Sequence, residues 1–209
     1  MAIPFLSREL LNNEVNFKKA EAHVAASLQE GADLRLKVAG NCRRQIVEAA
    51  VLIGDCLAAA GKLLLFGNGG SAADAQHLAA EFVGRFVVER LGLPAIALTT
   101  DSSILTAVAN DYGFERVFAR QIEALGRPGD VAIGISTSGN SPNVIEAVNK
   151  AKGQNLKTIG LVGKDGGALA RCVDIAITVS STNTARVQEC HIAIGHILCE
   201  LVENELSEK

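Results

Sequence analysis

The sequence contains no tryptophan, one tyrosine, one methionine and four prolines in 209 residues, and aromatics make up only 4%. Whatever core it builds must be aliphatic. No apolar run approaches the ~18 residues of a membrane span. The N-terminus, MAIPFLSREL, lacks the basic segment and long apolar stretch of a signal peptide. Basic excess is also missing: 20 Lys and Arg against 23 Asp and Glu give a net charge of −3, so no nucleic-acid stripe is advertised. Its five cysteines are scattered, odd in number and without a CxxC pair, which reads as reduced thiols of a cytoplasmic protein. What remains is ordinary globular composition, 48% hydrophobic and 21% charged. Such a length favours one domain, able to bury roughly 70% of its unfolded surface without a disulfide or metal.

Two textures divide the chain. In residues 1–60 the apolar spacing of Leu11, Val15, Val24 and Leu28 predicts one amphipathic helix. Ile46, Ala49, Ala50, Ile53 and Leu57 predict a second, with a break between Gly31 and Gly40. From Gly61 onward, short Ile-, Val- and Leu-rich runs (62–66, 94–98, 131–135, 157–162 and 174–179) alternate with helical segments. Helices are expected over 71–88, 114–125 and 141–152, helical turns near 102–109 and 166–171, and a long last helix over 184–205. That alternation predicts βαβ units on a parallel sheet covered on both faces.

Ligands of open parallel sheets bind beyond the carboxyl ends of the strands. After the first run stands Gly67-Asn68-Gly69-Gly70-Ser71, either a close-approach cradle at a helix start or an ordinary βα turn with a serine cap. It matches neither a dinucleotide fingerprint nor a Walker loop. After the third run stands Ser136-Thr137-Ser138-Gly139-Asn140-Ser141-Pro142, with Ser141 placed as N-cap and Pro142 at the first helical position. One hydroxyl suffices for a cap, so the surplus points to a neutral phosphate cradle. Asn110 and Asp111 could bond sugar hydroxyls or simply form a turn. His77 and Glu81, at i and i+4, share a helix face as metal ligands or as a surface pair. Gln188 and His196 lie near one face of the last helix but ~12 Å apart along it, so both reach one metal only by leaning or from two chains. His191 lies off that face and reads as a packed or hydrogen-bonded residue.

Together these segments resemble the sugar isomerase (SIS) domain and, within it, the sedoheptulose 7-phosphate isomerase (phosphoheptose isomerase) family. The matching stretches are GNGGSAADAQHLAAEFVGRF, AIALTTDSSILTAVANDYGF, GDVAIGISTSGNSPNVIEA, LVGKDGGALA and ARVQECHIAIGHILCELVE. The resemblance implies a single three-layer α/β/α domain with a flavodoxin-like five-stranded parallel sheet. It also implies a homotetramer with sites between subunits. Asn68, Gly69, Gly70, Asn110, Asp111, Ser136, Thr137, Ser138, Ser141 and Gln188 would contact substrate. Glu81 would be the general base and His196 the general acid, and His77, Glu81, Gln188 and His196 would hold zinc. The reaction would turn D-sedoheptulose 7-phosphate into D-glycero-D-manno-heptose 7-phosphate, opening nucleotide-heptose synthesis for lipopolysaccharide.

Residue chemistry agrees. A ketose–aldose shift through an enediol needs a base, an acid and a polarised carbonyl, which a carboxylate, an imidazole and a divalent metal supply. Ala185 stands where some relatives are acidic, and the first fifteen to twenty residues exceed the family minimum. The alternative is a non-catalytic SIS protein that binds the DnaA replication initiator. Such relatives lack the glutamate and the C-terminal histidine, both present here as Glu81 and His196.

Overall fold

The computed structural model describes residues 14–207. Two helices, α1 (Glu14–Asn41) and α2 (Arg43–Ala58), precede β1 (Leu63–Gly67), α3 (Gly70–Val83), β2 (Ala95–Ala97) and α4 (Ser102–Tyr112). A 3-10 turn (Phe114–Arg116) leads into α5 (Ala119–Leu125), β3 (Val131–Ser136), α6 (Pro142–Gly153) and β4 (Lys157–Gly163). The chain closes with α7 (Gly167–Cys172), β5 (Ile175–Val179) and α8 (Thr184–Ser207).

All strand pairs are parallel, in the order β2-β1-β3-β4-β5. Side chains alternate across this sheet, and both faces are aliphatic. Leu63, Leu65, Ile133, Ile135, Ile159 and Leu161 meet Ile53 of α2, Leu78 of α3 and Ile194 of α8 on one face. Leu64, Phe66 and Ala132 meet Ile122 of α5, Val144 and Val148 of α6, and Leu169 of α7 on the other. The result is the expected three-layer α/β/α architecture. Because β1 leads to β2 on one side and has β3 on its other, the cleft between the ends of β1 and β3 is the topological switch point.

The strands fall within one or two residues of their predicted positions, but several helices do not. The first helix runs without interruption through Gly31 and Gly40, and the break comes at Cys42. Leu11 lies outside the described residues. Of the predicted apolar face, Val15, Val24 and Leu28 are 57–68% exposed among the described residues. Helix α3 stops at Val83 rather than 88, since Gly84 follows and the next N–H groups turn toward the Glu203 carboxylate on α8. Residues 114–125 divide into the 3-10 turn and α5, and α4 continues to Tyr112. All five cysteines are free. No helix among the described residues is long and apolar enough to cross a membrane.

Candidate active site

The serine loop is folded largely by its own residues. Gly139 takes φ 64°, and any side chain there would strike the backbone of Gly166, so only glycine permits this approach. Leu169 N–H donates to the Gly139 carbonyl at 2.9 Å. Asn140 donates to the Ser138 carbonyl at 2.9 Å and accepts from Ala168 N–H at 3.0 Å. Braced in this way, the loop gathers three hydroxyls: Ser136 Oγ lies 2.9 Å from Ser141 Oγ and 3.3 Å from Ser138 Oγ. Ser141 does occupy the N-cap position of α6, yet its hydroxyl makes no cap bond and turns to Ser136 instead. Thr137 is half-buried, its carbonyl packed on Gly163.

Next to it, the glycine loop carries β1 into α3. Gly69 is the N-cap residue at φ 56°, so no serine caps this helix; Ser71 is buried in the first turn. A side chain at Gly70 would run into the Gln188 amide. Asn68 exchanges two amide hydrogen bonds, both 2.9 Å, with buried Asn143 at the start of α6. This reciprocal pair ties the glycine loop to the serine loop. Asn143 was not among the expected site residues, though its place directly after Ser141-Pro142 was a legible signal.

Three residues from two helices converge farther along α3. His77 Nε2 lies 2.8 Å from His196 Nε2 and 3.4 Å from Glu81 Oε1. One ligand atom from each of the three residues falls within 4.8 Å of the others, a group able to hold a metal ion. Contact between α3 and α8 depends on Gly195, where any side chain would collide with Leu78. Gln188 enters from the same helix as His196, but its amide lies against Gly70, seven residues before His77 on α3. At 1.5 Å per residue that is about 10 Å from the cluster. Asn110 and Asp111 sit in the last turn of α4 rather than in a turn beyond it. Both are exposed, with Asn110 Nδ2 donating to Asp111 Oδ1 at 2.7 Å.

Two further titratable groups flank the cluster. Asp74, one turn before His77, has a buried Oδ2 without a hydrogen-bond partner. Burial pushes its carboxyl up to about 6, against the opposing pull of His77. His191 is fully buried on α8. It packs as expected, and burial pushes the imidazole down to about 4 against the opposing pull of the Val162 backbone.

The SIS domain family model matches residues 28–163. A phosphoheptose isomerase of Aquifex aeolicus is 56% identical over 181 residues, 87% of this chain and 95% of that protein. Two solved structures superpose closely. A phosphoheptose isomerase from Neisseria gonorrhoeae gives a TM-score of 0.85 at 46% identity, covering 88% of this chain and 99% of its own. One from Francisella tularensis gives 0.86 at 38% identity, covering 88% and 98%.

Proposed function

The chain belongs to the phosphoheptose isomerase family of SIS-domain proteins, and from that membership we propose how its residues interconvert sedoheptulose 7-phosphate and D-glycero-D-manno-heptose 7-phosphate. The observation that carries the reading is the convergence of His77, Glu81 and His196 some 10 Å along α3 from the Gly69-Gly70 turn, which the Asn68–Asn143 pair ties to a neutral hydroxyl loop. A seven-carbon sugar phosphate has the same polarity, its phosphate at one end and its carbonyl at the other. Ser136, Ser138 and Ser141 hold the phosphate with Thr137. Asn68, Gly69, Gly70 and Gln188 line the chain between, and Asn110 and Asp111 take sugar hydroxyls.

At the carbonyl end Glu81 removes a proton from C1 of the ketose while His196 delivers one to the C2 oxygen. The enediol so formed loses its C1 hydroxyl proton and regains one at C2, leaving the aldose. Both steps need the acid and base within hydrogen-bond reach of adjacent carbons, which the shared position of Glu81 and His196 beside His77 provides.

The donor set also fits zinc: two imidazoles and a carboxylate are its common ligands. The ring nitrogens of His77 and His196, 2.8 Å apart, and Glu81 Oε1, 3.4 Å from His77, would hold it. We assign His77, Glu81 and His196 to the metal, while Gln188, its amide against Gly70 about 10 Å along α3, would contact substrate. When bound, the metal polarises the carbonyl oxygen and offsets its developing charge. A carboxylate has two oxygens, so Glu81 can face the metal with one and the substrate with the other.

The alternative, a non-catalytic protein binding the replication initiator, finds no support in isomerase relatives of such high identity. We further assign a cytoplasmic homotetramer. The uncovered apolar side of α1 supports it, as does a groove of about 360 Å³ lined by Val38, Ile46, Ile194 and Leu201 between α1, α2 and α8. Light scattering should return four times 21.9 kDa; a fully active monomer would refute that assignment. The reaction itself is tested by proton exchange in deuterated water. Glu81→Gln should lose exchange at the substrate's carbon-bound position by roughly 10²–10⁴-fold, and exchange at the wild-type rate would remove Glu81 as the base.

A further inference from the structure

The segment between α3 and β2 is held in an unusual way. Phe86 and Leu93 at its two ends pack against the core, but between them Val87 is 65% and Leu91 89% exposed, so packing does not fix the middle of the segment. What fixes it is Glu203, buried on α8 two turns beyond His196. One carboxylate oxygen accepts from Phe86 N–H at 3.0 Å and from Arg90 Nε at 3.0 Å. The other accepts from Val87 N–H at 2.7 Å and Val88 N–H at 2.8 Å. Arg90 in turn closes the end of α3. Its Nη2 donates to the Glu81 carbonyl at 3.0 Å and its Nη1 to the Phe82 carbonyl at 2.9 Å, two acceptors that the helix itself leaves open. Phe86, seated by this arrangement, lies with its ring 5.6 Å from the His196 ring at an interplanar angle of 33°.

Thus one buried ion pair ends on both members of the acid–base pair: on Glu81 through its own carbonyl, and on His196 through Phe86. A buried ion pair is a poor stabiliser compared with apolar residues of equal volume. Its geometry, however, is rigid, a guanidinium against a carboxylate whose two oxygens each accept two hydrogen bonds. We propose that Glu203 and Arg90 are positioning residues for the isomerisation. They seat Phe86 against His196 and fix the last turn of α3, and so set the imidazole and the Glu81 carboxylate relative to one another. This rests on the assignment of Glu81 and His196 as base and acid.

Two variants test it. Glu203→Gln keeps the shape but breaks the pairing; Phe86→Leu leaves the ion pair intact and so retains the fold even if the first variant does not. Both should lower kcat for sedoheptulose 7-phosphate by roughly 10–100-fold, the cost of a small misplacement of reacting groups, with KM within about twofold. In protein labelled with ¹³C-histidine, the His196 ring resonances, assigned by their loss in His196→Asn, should move in both variants as the Phe86 ring current is withdrawn. Wild-type kcat in both variants overturns the proposal, as does a His196 signal that stays in place in both. A fall in kcat matched by a rise in KM, with His196 unmoved, would show general loosening and overturn it too. Failure of the underlying assignment shows elsewhere, as proton exchange surviving in Glu81→Gln while the two new variants behave as described.

Discussion

The serine loop and the His77–Glu81–His196 cluster are built on opposite plans. The loop draws on consecutive residues, Ser136 to Ser141, braced by backbone groups of the neighbouring Gly166–Leu169 turn. The cluster draws on residues 119 positions apart, brought together only because α8 packs on α3 at Gly195 and Leu78. An element that is locally encoded and already shaped suits binding, where the task is to meet a phosphate with little reorganisation. A tertiary element suits chemistry, because groups from different helices can be aimed at one bond. Damage to the first should therefore appear in KM, and damage to the second in kcat.

The largest effect expected is at the cluster. Glu81→Gln and His196→Asn should each cost about 10²–10⁴ in kcat, and the double variant should be little worse than either alone, because base and acid act as one unit. Multiplicative losses in the double variant would mean that the two residues act separately, and the cluster would no longer be a single element. Steady-state kinetics on the four proteins decides it.

At the loop the expected change is smaller and falls in the other parameter. In the proposed reading Ser138, whose Oγ lies 3.3 Å from Ser136 Oγ, holds the phosphate at the end away from the reacting carbons. Loss of one hydrogen bond to a charged group costs about 1.5–3 kcal/mol, so Ser138→Ala should raise KM about 10- to 150-fold and leave kcat nearly unchanged. A collapsed kcat at unchanged KM would break the division between the two regions.

That division also explains what was legible in the sequence. Strand positions, the serine loop and the His77–Glu81 spacing are short-range patterns, and all are found where the residues place them. Helix ends fixed by distant partners were not legible. Nothing near Val83 announces that Glu203, more than a hundred residues later, will take the N–H groups of Phe86, Val87 and Val88 and end α3 early. The amphipathic spacing in α1 did predict a helix, but it does not reveal whether the apolar side is covered, and among the described residues it stands exposed. Gln188 illustrates the same limit. Its spacing from His196 left open whether it reaches a metal by leaning or from a second chain, and in this chain its amide lies at Gly70.

The smallest effect is conditional on pH and concerns the scaffold beneath the cluster. His191 lies on α8 between Gln188 and His196, fully buried, its imidazole pushed down to about 4 by burial from an ordinary 6.5. Because the folded form takes up its proton later than the unfolded chain, the unfolded state binds more protons between those values, and acid favours unfolding. Stability is unaffected by this residue above pH 7, and falls as the pH drops below 6.5, by about 1 kcal/mol at pH 6 and about 2 kcal/mol at pH 5. His191→Leu removes the titration and keeps an apolar side chain in an apolar place. Urea denaturation at pH 7.5 and pH 5 should therefore show the wild type losing about 2 kcal/mol more than the variant between the two conditions. Equal losses would mean that the acid sensitivity of α8 comes from groups other than His191. The serine loop contains no titratable side chain between Ser136 and Ser141, so any acid sensitivity of this kind belongs to the helices that carry the cluster.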